Sequence, residues 1–404
     1  MRRNVRLGVF VAVALLAGSL PAAAQARIER PGGRPPATLA KPRIAPLPES
    51  EWTGEQRRIA ERFTRDQRVD SGLATLLRLP VLAEAVFPYT FYLADQSTLS
   101  SRHRELLILR TAWLCGNQAI WASYTPAAKK AGLTPSEIRR IAEGPDAAGW
   151  DRFEATLLRF ADQLFRNSAV TTSTWEAMAK IYDLPHMMDA VETVNHFTTL
   201  ALLYNSLGVQ PDAWMPDRLP AEVRYRVVVP EREPPLTAAR VEPAPGSGIA
   251  VGRTFARHAK LNETRGGRAN FINRISKLEP RHREMLILRT GWDCQSEYEW
   301  AQHVGNVGRA RDHGLDPRSI AEGPTSPGWD GFERAILRAA DELYRDSLVS
   351  DSTWSALGAR YDASLLMSAV FTASSYRATS MALNAFGVQL EPGNERFPAL
   401  AGGR

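Results

Sequence analysis

The feature that most limits how this chain can fold is that it contains its own sequence twice. "RHRELLILRTAWLC" at 102–115 returns as "RHREMLILRTGWDC" at 281–294, and "IAEGPDAAGWDRFE" at 141–154 returns as "IAEGPTSPGWDGFE" at 320–333. "STW" recurs at 173 and 352, and "YNSLGVQ" at 204–210 is answered by "LNAFGVQ" at 383–389. The offset is 281 − 102 = 179 for the first match and the same for the others, with a local slip of three residues between Gly132-Leu133 and Gly314-Leu315. Matches this numerous in one frame mean a tandem duplication, so whatever one copy folds into the other folds into as well. The copies span 51–210 and 248–392.

Each copy reads as helical. Met285, Leu288 and Trp292 lie three and four apart, and Phe332, Ile336, Ala340 and Leu343 form one apolar face with charges opposite. "DSTW" opens a helix with an N-cap residue, and the last helix of each copy is rich in small residues suited to close packing. Alternating β-branched runs are scarce. The expected fold is all-α, two helical bundles of about six helices each.

Between the copies, residues 211–247 carry eight prolines and read as a connector, with "VRYRVVV" at 223–229 as a short extended stretch. Residues 25–50 hold six more prolines and read as a tether that buries no core. Residues 393–404 form a tail. Ahead of all this, "MRRNVR" and the apolar "LGVFVAVALLAGSL" make a signal peptide, with Ala22 and Ala24 at the small-residue cleavage positions. Cleavage after Ala24 gives a periplasmic or secreted protein with no membrane span remaining. The net charge of +6 comes from basic residues that alternate with acidic ones, which speaks against nucleic acid as a partner.

The chemistry is suggested by where the copies differ. "QAIWASY" at 118–124 is neutral, whereas its counterpart "EYEWAQH" at 297–303 is charged. Glu299 stands opposite Ile120 and His303 opposite Tyr124. Glu299 and His303 are one helical turn apart, so the carboxylate can orient the imidazole and raise its basicity, an arrangement for general acid–base catalysis or a surface ion pair. Glu284 is a third candidate, although its match Glu105 makes the Arg281, Arg283, Glu284 and Arg289 group partly a structural ion-pair network. The absence of HExxH argues against a metal site, and the set needs no cofactor. Cys294, matched by Cys115, is open to three readings: a buried inert thiol, half of a disulfide between the copies, or a reactive thiol near His303. His196, where copy two has Ser375, is either a packed histidine or one that reaches across into the second copy's site.

"HREMLILRTGWDCQSEYEWAQH" resembles the carboxymuconolactone decarboxylase and alkylhydroperoxidase-D-like family, over most of each repeat. That resemblance implies a helical bundle assembling as trimers or hexamers, here a trimer of two-domain chains, with a small-molecule site partly at domain interfaces. The family's peroxidases carry Glu, CxxC and His at the spacing of 284, 296, 299 and 303. This chain has Ser296 and Glu299 in place of the cysteines. It therefore resembles the decarboxylase-like branch, a lyase, with Glu284, Glu299 and His303 as the implied catalytic set. Cys294, Trp292, Trp300 and His196 are candidates to line the substrate. On this reading copy one is a scaffold and copy two keeps the chemistry. The rival functions are a single-cysteine peroxidase and a non-catalytic binding or assembly module.

Overall fold

The computed structural model describes residues 38–64 and 68–400. The signal peptide expected over 1–24 and the first part of the tether lie outside the described residues. The protein is all-helical, as expected, and no described helix is long and apolar enough to cross a membrane.

The helices recur in the frame read from the sequence. Ser71–Leu76, Pro80–Phe91, Ser101–Leu114, Arg152–Asn167, Thr172–Ala179 and Leu184–Leu207 are followed by Ala250–Phe255, Ala259–Asn270, Pro280–Asp293, Gly331–Asp346, Asp351–Gly358 and Ala363–Phe386. Every one of these pairs begins 179 residues apart, for example 250 − 71 = 179. The ends are set by matching chemistry. Asp183 and Asp362 cap the last helix of each set, and Gly208 and Gly387 close it with φ of 75° and 67°.

The two sets share one hydrophobic core. The helices Leu184–Leu207 and Ala363–Phe386 pack on each other, and Pro80–Phe91 packs on Ala259–Asn270. Small residues on the long helices, such as Ala369, Ala373 and Ala378, permit the close approach. The junction obeys an approximate two-fold rule. Asn205 donates to Cys115 O at 2.8 Å in its own half and to Ser347 O at 3.1 Å in the other. Asn384 repeats this with Cys294 O at 3.0 Å and Ser168 O at 2.9 Å. Within each half a buried arginine ties helices together: Arg110 donates to Asp162 at 2.7 Å, and Arg289 to Asp341 at 2.5 Å. Arg281 similarly meets Glu333 at 2.8 Å, so this part of the expected ion-pair network is structural.

The proline-rich segments do more than connect. Contrary to the expectation for residues 25–50, Ile44 and Leu47 are buried; in the connector Tyr225, Val227 and Val241 are buried too. Proline disfavours interior helix and sheet positions, though Pro88 and Pro126 are accommodated within helices, and an extended strap can lay alternate side chains on a core and bond its backbone to helix ends. Arg43 N and Ile44 N donate to Leu207 O, just as Arg240 N and Val241 N donate to Phe386 O. The straps lie so close that a Cβ at Gly208 would come within 2.7 Å of Lys41 O, and one at Gly387 within 2.9 Å of Ala238 O. Gly387 and Gly208 are therefore required both by their positive φ and by the crossing strap. Residues 391–400 also pack: Phe397 sits against Trp292 and Trp300 at centroid distances of 5.0 and 5.4 Å.

Candidate active site

Two helices bring the charged residues together. Pro280–Asp293 carries Glu284, and Glu297–Val304 carries Glu299 and His303. The two are joined by a tight turn in which Gln295 adopts a φ of 51°, so the second helix folds back on the first. His303 then lies between two carboxylates. Its Nδ1 is 2.6 Å from Glu284 Oε2, and its Nε2 is 3.0 Å from Glu299 Oε1. All three residues are buried. The other oxygen of Glu284 accepts from Arg283 Nε at 3.1 Å.

Burial on its own pushes the imidazole's pKa down. The charge and hydrogen bonding of Glu284, then of Glu299, outweigh it and raise it to about 9. His303 is thus an imidazolium near neutral pH, donating from both ring nitrogens. Glu284, 19 residues away in sequence, is its closer partner, and Glu299 is the more distant one. Because the carboxylates sit on opposite ring nitrogens, they do not converge on one point as ligands of a single ion would.

Two residues not singled out from the sequence complete the site. The Tyr376 ring stands perpendicular to the His303 ring at a centroid distance of 5.0 Å, with Asn273 near its hydroxyl. Burial, then the charges of Glu299 and Glu284, hold that phenol above its ordinary pKa. Gly308 closes the other side. A Cβ there would fall 2.2 Å from Glu284 Oε2 and 2.7 Å from His303 Nδ1.

The first half has the same frame and keeps Glu105 in place of Glu284, but lacks the second carboxylate and the histidine. Tyr124 meets Phe197 edge-on at 4.9 Å, as His303 meets Tyr376. In the repeat frame Phe197 is replaced by Tyr376 and Ala94 by Asn273, alongside Ile120 by Glu299 and Tyr124 by His303. Four exchanges converging on one spot could have been found by laying the copies side by side.

The remaining candidates make contacts of their own. The rings of Trp292 and Trp300 meet at a tilt, 5.6 Å apart, and both meet Phe397 edge-on. Cys294 and Cys115 are buried and form no disulfide, so the bridge between the copies is not made. His196 lies in the first half, its Nε2 2.7 Å from Thr90 Oγ1 and its ring edge-on to Tyr89 at 4.9 Å. Burial, then the charge of Arg268, pushes its pKa well down, so it is neutral.

Residues 80–163 match the model of the carboxymuconolactone decarboxylase family. The span runs from the Pro80–Phe91 helix into Arg152–Asn167 and includes Glu105, Cys115, Ile120 and Tyr124. The decarboxylase-family match thus falls on the half whose counterpart positions in the other half are Glu284, Cys294, Glu299 and His303. No curated protein and no solved structure matches the chain.

Proposed function

We propose that the chain is an exported, carboxymuconolactone decarboxylase-like enzyme of two tandem helical domains, 51–210 and 248–392, assembling as a homo-oligomer. It carries out non-redox proton transfer on a small organic acid or lactone at the His303 site. The observation that carries this reading is the buried imidazolium held by Glu284 at 2.6 Å and Glu299 at 3.0 Å. A histidine with a pKa of about 9 is a proton donor at neutral pH, and one kept from bulk water gives its proton only to what enters the site.

In a decarboxylation, the bond from the substrate carbon to its carboxylate breaks and CO2 leaves. The electron pair passes into an adjacent carbonyl as an enolate, and His303 protonates the carbon. The two carboxylates hold the ring in place, and solvent restores its proton. Glu284 acts here by orienting His303, and Tyr376 with Asn273 lines the site. A peroxidase reading draws less support: Cys294 is fully buried, whereas a thiol that meets peroxide works from an accessible position. Turnover of a carboxylated γ-lactone, followed as CO2 release, tests the proposal. His303→Gln should lower kcat at least ~100-fold and Glu299→Gln by a smaller factor, with Cys294→Ser close to wild type. Unchanged turnover in His303→Gln with the fold intact would rule the reading out.

A further inference from the structure

The helix that carries His303 ends early. Its first-half counterpart runs unbroken from Gln118 to Lys130, whereas the second-half helix stops at Val304. Seven residues separate Tyr124 from Gly132 but ten separate His303 from Gly314, so Gly305-Asn-Val-Gly-Arg309 falls where the second copy carries three extra residues. Two glycines make continued helix unfavourable, and Gly305 takes a non-helical φ of −96° and ψ of −113°. The five residues turn over the site instead of extending along the surface.

Of the five, only Gly308 is buried, and it lies against the Glu284–His303 pair. The rest of the segment faces solvent: Val307 is 47% exposed, and Arg309 carries a φ of 51°, uncommon for a residue with a side chain. Its backbone bonds are local, from Val307 N and Gly308 N to Gln302 O and from Arg309 N to Gly305 O. A strip that covers buried charges while holding to the body by one glycine contact and short-range bonds has the construction of a lid.

We propose that Gly305–Arg309 is the removable wall of the His303 site. It swings away from Glu284 Oε2 and His303 Nδ1 to admit a small carboxylic acid or lactone, then closes with Gly308 as the one residue small enough to seat on the pair. The inference rests on the reading of His303 as the working group, but its test needs no turnover.

The first measurement is hydrogen–deuterium exchange on the full wild-type chain. The amides of Val307, Gly308 and Arg309 are hydrogen-bonded, as are those of the preceding helix. The lid amides should nonetheless exchange at least ~100-fold faster than those of Ala301–Val304, because they open without the helix. Equal, slow exchange in both segments would overturn the proposal. The second measurement is carbethoxylation of His303 at pH 9, where a sizeable fraction of the imidazole is neutral and nucleophilic, mapped by mass spectrometry in wild type and Gly308→Ala. The added methyl cannot occupy the closed position, so His303 should react at least ~10-fold faster while the Leu184–Leu207 and Ala363–Phe386 helices keep wild-type protection. Unchanged reactivity in a folded Gly308→Ala protein would also overturn it. If that variant does not fold, the wild-type exchange comparison decides the matter alone. Loss of turnover on every substrate, with these two results intact, would remove the catalytic reading and leave the lid standing.

Discussion

Raising the pH from 6.5 to 9 should cost this protein stability through one residue. The pKa of His303 lies near 9 in the folded chain and near the ordinary 6.5 when unfolded. Below pH 6.5 both states bind the proton, and the contribution is fully present. Between 6.5 and 9 only the folded state keeps it, so each step up in pH favours unfolding. Above 9 the contribution is gone. The slope is about 1.4 kcal/mol per pH unit, and across the window the loss comes to about 3 kcal/mol, an order-of-magnitude figure. Urea denaturation at pH 6, 7.5 and 9 measures it. His303→Gln is a poor control, since it leaves Glu284 and Glu299 buried without their cation. Glu299→Ile combined with His303→Tyr is better, because it installs the pair the first half already accommodates as Ile120 and Tyr124. That variant should lose at least ~2 kcal/mol less than wild type over the same range. A parallel pH dependence in both proteins would refute the imidazolium assignment, as would a His303 imidazole that titrates below 7 by NMR.

Asn384→Ala removes two hydrogen bonds and Asn205→Ala three, the third accepted from Asn117 Nδ2, and each should destabilise by about 1–3 kcal/mol in urea titrations. Asn205→Ala should be the larger, because Ser296 stands where Asn117 does and gives Asn384 no matching donor. Phe397→Ala should uncover the Trp292–Trp300 pair, seen as red-shifted tryptophan emission with a loss of about 2 kcal/mol. Sequencing of exported protein should find Gln25 as the first residue; an intact Met1 would point to a retained anchor.

What could be read in advance followed from how local each feature is. Helix identity and order depend on periodicity and caps within a dozen residues, so the repeat and the all-α fold were legible. So was the Glu299–His303 pair, a matter of spacing along one helix. Glu284 was named without its partner, because nothing in a linear sequence says which nitrogen of a histidine 19 residues away it will face. The straps were misread for a different reason. Proline count reports what the backbone cannot do, and says nothing of Ile44, Leu47 or Val241 finding a core surface beside a helix end.

The duplication carries one further consequence. The charged set stands in one half only, yet that half does not stand alone: Asn205 and Asn384 cross the junction, Arg43 donates to Val349 O at 2.7 Å, and Arg240 donates to Val170 O at 2.9 Å. Each strap therefore braces the opposite copy. Ala363–Phe386, which positions Tyr376 against His303, is packed along Leu184–Leu207 of the first half. The neutral copy supports the wall on which the site is built. Holding a buried Glu–His–Glu arrangement is demanding, since charges out of water need partners kept at hydrogen-bonding distance. Replacing Ile120 and Tyr124 by Glu and His should therefore not create a second working site: Phe197 and Ala94 remain in place of Tyr376 and Asn273, and no loop like Gly305–Arg309 interrupts the Gln118–Lys130 helix. The two new carboxylate and imidazole groups would enter a core lacking the glycine that covers their counterparts.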